Sequence, residues 1–177
     1  GYALTAGTTA ALIGGCKAST ASDWKPETLS MDEVDLLGDI CEAILPKTDT
    51  PGAKDALCHR YIDEMLTNFY DKEGQDYFKE TLKSFDDESK KKFSKAFVAL
   101  TPGEKEVILE ILSSQAKDYK DESGKKPHIF KTIKDATISG YFTSEVGAKG
   151  GLCEFIPIPG PYQGCIEYNT IGKGDVL

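Results

Sequence analysis

From Ser30 to about Ile138 the chain repeats one pattern: apolar side chains at spacings of three and four, bracketed by capping residues, prolines and glycines. Ser30-Met31-Asp32-Glu33 reads as a capping box, and Val34, Leu37, Ile40, Cys41 and Ile44 then line one helical face up to Pro46. Two prolines and a glycine between Pro46 and Gly52 predict a loop. A second helix is expected with Leu57, Tyr61, Met65, Leu66 and Phe69 on its inner face and Gly74 as its end. Tyr77, Phe78, Leu82 and Phe85 predict a third, and Phe93, Phe97 and Leu100 a fourth beginning near Ser89. Thr101-Pro102-Gly103-Glu104 repeats the start signal, with proline tolerated where its missing N–H has no partner anyway. Val107, Ile108, Ile111, Leu112 and Tyr119 continue that fifth helix until the polar stretch from Lys120 to Lys126. Ile129, Phe130, Ile133, Ala136 and Ile138 mark a sixth. Strand-like alternation first occurs at Phe155-Ile156-Pro157-Ile158, where prolines exclude a sheet interior. The fold class is therefore all-α: an irregular bundle of about six helices over residues 30–148, followed by an extended, proline-rich arm over 149–177.

The ends differ from this body. Residues 1–16 open with an uncharged run rich in small residues, Gly1 to Gly15, too short to cross a hydrocarbon core that needs about 20 helical residues. It resembles the apolar part of an export signal, whose basic region is expected upstream of Gly1. Leu12-Ile13-Gly14-Gly15-Cys16 resembles a lipobox, which makes Cys16 the candidate lipidation site. Residues 17–29 are polar apart from Trp24 and lack an apolar period, so they read as a tether. At about 3.3 Å per extended residue it reaches about 40 Å, enough to hold a domain off a membrane or to wrap a partner.

A formal net charge of −8, from 29 acidic and 21 basic residues, argues against a polyanion-binding surface. Arg60 is the only arginine, and bidentate base and phosphate contacts are mostly arginine work, so nucleic acid is excluded as a partner. Catalytic patterns are scarce. His59 and His128 have no metal-ligand spacing, and no nucleophile elbow, P-loop or dinucleotide fingerprint occurs. No catalytic, cofactor-binding or metal-binding residue is assigned.

Five cysteines leave one over if four pair. Cys41 and Cys58 flank the 46–53 loop at similar distances, so an antiparallel hairpin sets them at equal height, either as a disulfide or as two buried thiols. An oxidising compartment favours the bridge. Cys153 and Cys165 bracket a proline-rich segment that a bridge would stabilise by about 3 kcal/mol. Cys16 is then the remaining thiol.

Three blocks carry a resemblance: Ile44-Leu45-Pro46-Lys47-Thr48-Asp49-Thr50-Pro51-Gly52-Ala53, then Gly140-Tyr141-Phe142-Thr143-Ser144-Glu145-Val146-Gly147-Ala148, then Pro157-Ile158-Pro159-Gly160-Pro161-Tyr162-Gln163-Gly164-Cys165. Together, from about Leu29 to Cys165, they closely resemble the gluconate 2-dehydrogenase subunit 3 family. The resemblance implies a small, non-catalytic subunit without a cofactor of its own. Its partner would be a large flavoprotein of the glucose-methanol-choline type that holds FAD and oxidises a sugar, sugar acid or glycoside. A haem c subunit, a cytochrome c, or another acceptor would take the electrons. The small subunit would escort, stabilise and anchor that partner through twin-arginine export, which places it in the periplasm, attached to the membrane by its signal or lipid.

Within that reading the arm is the expected docking element, because Phe155, Ile156, Ile158 and Tyr162 combine apolar area with prolines that limit the entropy lost on ordering. Tyr141 and Phe142 are further candidate anchors, since aromatic residues dominate interface energetics. The arm could equally fold back over its own bundle. A stand-alone surface lipoprotein that binds carbohydrate or protein is the alternative reading. For the lipobox, intact mass of protein from its native host should show Cys16 as a lipid-bearing N-terminus, and an unmodified Cys16 still joined to Gly15 would exclude it.

Overall fold

The computed structural model describes residues 24–120, 127–150, 153–155, 158, 160–161, 164–165 and 174–176. Six α-helices occur among them: α1 (Met31–Ile44), α2 (Cys58–Phe69), α3 (Lys72–Phe93), α4 (Pro102–Asp118), α5 (Ile129–Thr143) and α6 (Glu145–Lys149), with a 3₁₀ turn at Phe97–Ala99. The start signals behave as the sequence predicts. Ser30 Oγ accepts the Glu33 N–H while the Glu33 carboxylate accepts the Ser30 N–H at 2.8 Å. Thr101 and Glu104 repeat the exchange at α4, with Pro102 in the first turn. Each such cap contributes about 1 kcal/mol.

Helix α5 runs through the middle, packing against α1, α2, α3 and α4, with Ile133, Thr137 and Tyr141 fully enclosed. Leu37 and Ile40 of α1, Leu66 of α2, Leu82 and Phe85 of α3, and Ile108 of α4 complete the core around it.

The middle of the chain divides differently from the expected pattern. The third and fourth predicted helices are one, because Ser89 is buried in mid-helix with its hydroxyl donating to the Phe85 carbonyl at 2.6 Å, and is not a cap. Helix α3 stops only where Ser94 takes a left-handed φ of 56° and returns its N–H to the Lys90 carbonyl. Phe97 then turns back onto α3: its N–H donates to Asp86 at 2.8 Å and its ring meets Phe85 edge-on at 5.9 Å. Gly74 does not end α2. It lies in the first turn of α3, donating to the capping carboxylate of Asp71 at 2.8 Å.

The inner face of α2 is also rotated from the expected one. Leu57 precedes the helix with φ of 55° and is partly exposed, and Phe69 is 75% exposed. The buried positions are Cys58, Ile62, Asp63 and Leu66. Asp63 explains the rotation. One carboxylate oxygen accepts the Glu27 N–H at 2.8 Å, and the other accepts Leu29 N–H at 2.8 Å and Thr28 N–H at 3.2 Å. Thr28 and Thr67 hydroxyls add a hydrogen bond of 2.7 Å. Farther up, the Arg60 guanidinium lies 4.9 Å from the centre of the Trp24 ring, which is also nearly perpendicular to His59 at 6.3 Å. Residues 24–29, read above as part of a tether, are thus docked along α2, because a buried carboxylate and a cation supply the partners that a polar segment needs. Residues 1–23 lie outside the described residues.

Beyond α6, β1 (Cys153–Phe155) pairs in parallel with β2 (Gly174–Val176), with Cys153 opposite Gly174. The expected strand-like alternation starts at Phe155, the last residue of β1, and the pair lies in the arm and not in the bundle. Among the described residues no helix is long and apolar enough to cross a membrane.

Replacing Asp63 by Asn keeps the shape but trades one acceptor oxygen for a donor facing backbone N–H groups. Stability should fall by about 2–3 kcal/mol, read as a lower urea midpoint, with faster hydrogen exchange at the amides of residues 27–29.

Candidate functional site

The loop block and the helix block of the sequence motif meet at one end of the bundle. The loop is shaped from inside by Glu42 in the last turn of α1. Its two carboxylate oxygens accept the Lys47 N–H at 2.9 Å and the Lys54 N–H at 2.8 Å, while the Ala53 N–H donates to the Leu45 carbonyl at 2.9 Å. A Cβ on Gly52 would overlap the Glu42 carboxylate and displace it from the loop amides it holds.

Onto this loop comes Tyr141 from α5. Its ring has no exposed surface, and its hydroxyl donates to the Pro51 carbonyl at 2.8 Å. The chain then doubles back over Tyr141. Ser144 ends α5 and caps α6, donating to the Tyr141 carbonyl at 2.7 Å and accepting the Gly147 N–H at 2.9 Å. A Cβ on Gly147 would overlap that same carbonyl, and one on Gly150 would sit 2.9 Å from Pro51 Cδ. The glycines at 147 and 150 therefore admit the protein's own backbone and ring atoms, which leaves them no room to cradle a phosphate.

A neighbouring groove of about 690 Å³ is lined by Asp39, Glu42, Lys47, Pro102 and Lys105, among others. Several of its charges are paired: Asp39 with Lys54 and, at 2.7 Å, with Lys105, and Lys47 with Asp55 at 2.9 Å. Partial burial pushes the Asp39 carboxyl up, but the hydrogen bonds and charges of Lys105 and Lys54 outweigh it and hold it below its ordinary range. A carboxylate fixed in that way is a poor proton carrier at neutral pH.

The histidines are structural. His59 lies against Trp24, and desolvation with the nearby Arg60 and Lys54 charges lowers its pKa. His128 caps α5, its Nδ1 accepting the Phe130 N–H at 3.2 Å, and burial lowers its pKa as well. Among the described residues no group of three or more His, Cys, Asp or Glu is arranged to hold a metal ion.

The sequence-derived interface residues separate into groups. Tyr141 is a correction: it is enclosed by its own chain, because its phenol closes the 46–53 loop, and it offers no surface to a partner. Phe142 is half-buried, edge-on to Tyr141 at 5.3 Å. Ile158 in the arm is 84% exposed. Phe155 has its backbone in β1, while its side chain, Ile156, Tyr162 and Cys16 lie outside the described residues.

The expected disulfides are not formed. Cys41 and Cys58 are free, buried thiols, and Cys165 is a free, exposed one, so no bridge joins it to Cys153. Cys41 and Cys58 share a neighbour, Thr137 of α5, whose hydroxyl donates to Cys41 Sγ at 3.3 Å and whose carbonyl accepts from Cys58 Sγ at 3.6 Å.

A profile of the family described as gluconate 2-dehydrogenase subunit 3 matches residues 31–160. The chain belongs to this family. As a gluconate 2-dehydrogenase subunit 3 protein it is a non-catalytic small subunit, with an accessory role in an FAD-dependent dehydrogenase complex whose larger subunit it joins. The match begins at the first residue of α1 and runs into the arm, so the closed corner of loop, Tyr141 and α6 lies wholly within it. No curated protein sequence and no solved structure matches the chain.

Two predictions follow from this packing. Gly147→Ala should cost about 3 kcal/mol or more, because backbone must move, and Tyr141→Phe about 1 kcal/mol. Gly103→Ala, where a Cβ meets nothing within 4 Å, should raise stability by up to about 1 kcal/mol; urea midpoints order the three. Desolvation pushes Cys41 up to about 12, against a lowering contact from Thr137 and with smaller upward pushes from Cys58 and Glu42, and desolvation pushes Cys58 up to about 11. Unfolded thiols ionise near pH 9 while the native ones stay protonated, so their stabilising effect is complete below about pH 9 and is lost as pH rises towards 11–12. Urea midpoints from pH 8 to 11 should fall less steeply for Cys41→Ala than for the wild type.

Proposed function

We propose that this chain escorts, stabilises and anchors an FAD-dependent flavoprotein of the glucose-methanol-choline type that oxidises a sugar, sugar acid or glycoside. The observation that carries the reading is the closed corner at the loop. Family blocks that would hold substrate or cofactor in an enzyme here hold each other, through Glu42 and the loop amides, Tyr141 and Pro51, and Gly147 and the Tyr141 carbonyl. The product of that packing is a fixed point, Gly150, from which the arm departs. Exposed Ile158, together with Phe155, Ile156 and Tyr162 of the same arm, supplies apolar area for a partner, and Phe142 flanks the corner. FAD resides in the partner, and a haem c subunit or another acceptor takes the electrons.

The leader, Gly1 to Gly15, carries the folded pair out by the twin-arginine route, and lipid on Cys16 holds it at the periplasmic face of the membrane. Truncation after Gly151 should abolish co-purification of a yellow flavoprotein from native membranes, while the full-length chain retains it. Survival of the complex without the arm would move docking elsewhere, and absence of any flavoprotein from the full-length pull-down would remove the escort role itself.

A further inference from the structure

Thr132, Asp135 and Ser139 follow one another along α5 at spacings of three and four, so they share one face of the helix. That face lines a groove of about 330 Å³ between α5 and α2. Tyr61 of α2 and Tyr70, just beyond its end, line it from the other side, over buried Phe78 of α3. Gly140 lets the Tyr61 ring close against α5, because a Cβ there would sit 2.7 Å from Tyr61 Cδ1.

The two sides differ in chemistry. One presents aromatic carbon, and the other presents two hydroxyls and a carboxylate. Among the described residues, the side chains of Thr132, Asp135 and Ser139 make no hydrogen bond or ion pair within the protein, and neither does the Tyr61 hydroxyl. The groove beside Glu42 differs in this respect, since several of its charges are already paired. Among the described residues no lysine, arginine or histidine lines the α2–α5 groove. A phosphate or carboxylate ligand would therefore face Asp135 without a counter-charge. A ligand that suits both sides needs an apolar C–H face and a rim of hydroxyls, which can donate to a carboxylate and exchange hydrogen bonds with other hydroxyls. A pyranose has both: its C–H bonds, polarised by the ring and hydroxyl oxygens, meet the negative face of an aromatic ring. Ligand sites run from about 300 to 1,000 Å³, and a groove at the lower end suits one sugar ring.

We propose that the groove between α2 and α5 binds a neutral pyranose or its glycoside, with Tyr61 and Tyr70 against the sugar's C–H face and Asp135, Thr132 and Ser139 as partners for its hydroxyls. The site holds the sugar without transforming it. Asp135 is the one carboxylate that lines it among the described residues, and glycoside hydrolysis uses a pair. The site stands on the groove's own geometry and is independent of the escort role.

The test is a titration of the full-length, isotope-labelled chain with methyl β-glucopyranoside, followed by backbone amide NMR shifts. Amides of residues 61–70 and 132–139 should shift saturably, with a Kd of about 1–10 mM. Asp135→Asn, at an exposed position, should weaken binding at least about tenfold, and Tyr70→Ala about fivefold. Ser139→Leu, also exposed, should fill the groove and remove the shifts, so the site can be read even if one variant folds poorly. The proposal is overturned if no shift saturates, if glycerol gives the same shifts, or if the folded variants bind as the wild type does. It is equally overturned if gluconate or tetramethylammonium binds more tightly than the neutral glycoside. Loss of flavoprotein co-purification in Asp135→Asn, with no sugar-dependent shift in the free chain, would make the groove a protein contact and overturn the sugar site. A flavoprotein retained without sugar shifts defeats the sugar site alone, and sugar shifts without a flavoprotein defeat the escort role alone.

Discussion

Burying a tyrosine obliges the fold to find an acceptor for its hydroxyl, and at Tyr141 that obligation organises the whole motif end of the bundle. The acceptor is the Pro51 carbonyl, which is in position only because Glu42 gathers the loop amides on either side of it. The carbonyl of the same tyrosine serves Ser144, which turns the chain into α6, and leaves clearance above it only for Gly147. One ring thus couples α1, the 46–53 loop, α5 and α6. Glycine, proline and acid are fixed at those positions by shape and hydrogen bonding, without any demand from chemistry.

The N-terminal side depends on a second buried polar group. Asp63 holds three consecutive backbone amides, and Arg60 and His59 frame Trp24. A chain of net charge −8 therefore places its sole arginine against an aromatic ring at an intramolecular junction.

Local signals were legible wherever cause and effect lie within a few residues. Ser30 with Glu33, and Thr101 with Pro102 and Glu104, announce their helices because the cap bonds span three residues. Helix α1 and the central α5 follow from spacing alone. Ser89 and Gly74 misled because hydroxyls and glycines serve inside helices as well as at their ends; Ser89 returns its hydroxyl to Phe85 and Gly74 sits within a first turn. Asp63 was invisible because its partners are backbone amides more than thirty residues away, which no side-chain pattern records. Tyr141 was taken for an interface residue because an aromatic that fills a core and one that fills a partner's pocket look alike in sequence; only its enclosure separates them. Cys41 and Cys58 carry no bridge, and the residue they share, Thr137, arrives from far along the chain, where no local spacing records it.

The docking of residues 24–29 fixes where the N-terminal side of the chain meets the bundle. Trp24 is pinned beside His59 and Arg60 at the start of α2, and Gly150 abuts Pro51 in the loop that leads into that same helix. Trp24 and Gly150 thus rest on one short stretch of chain, from Pro51 to Arg60. A shift of that stretch would carry Trp24 and Gly150 together, so the two junctions form one mechanical unit with the start of α2.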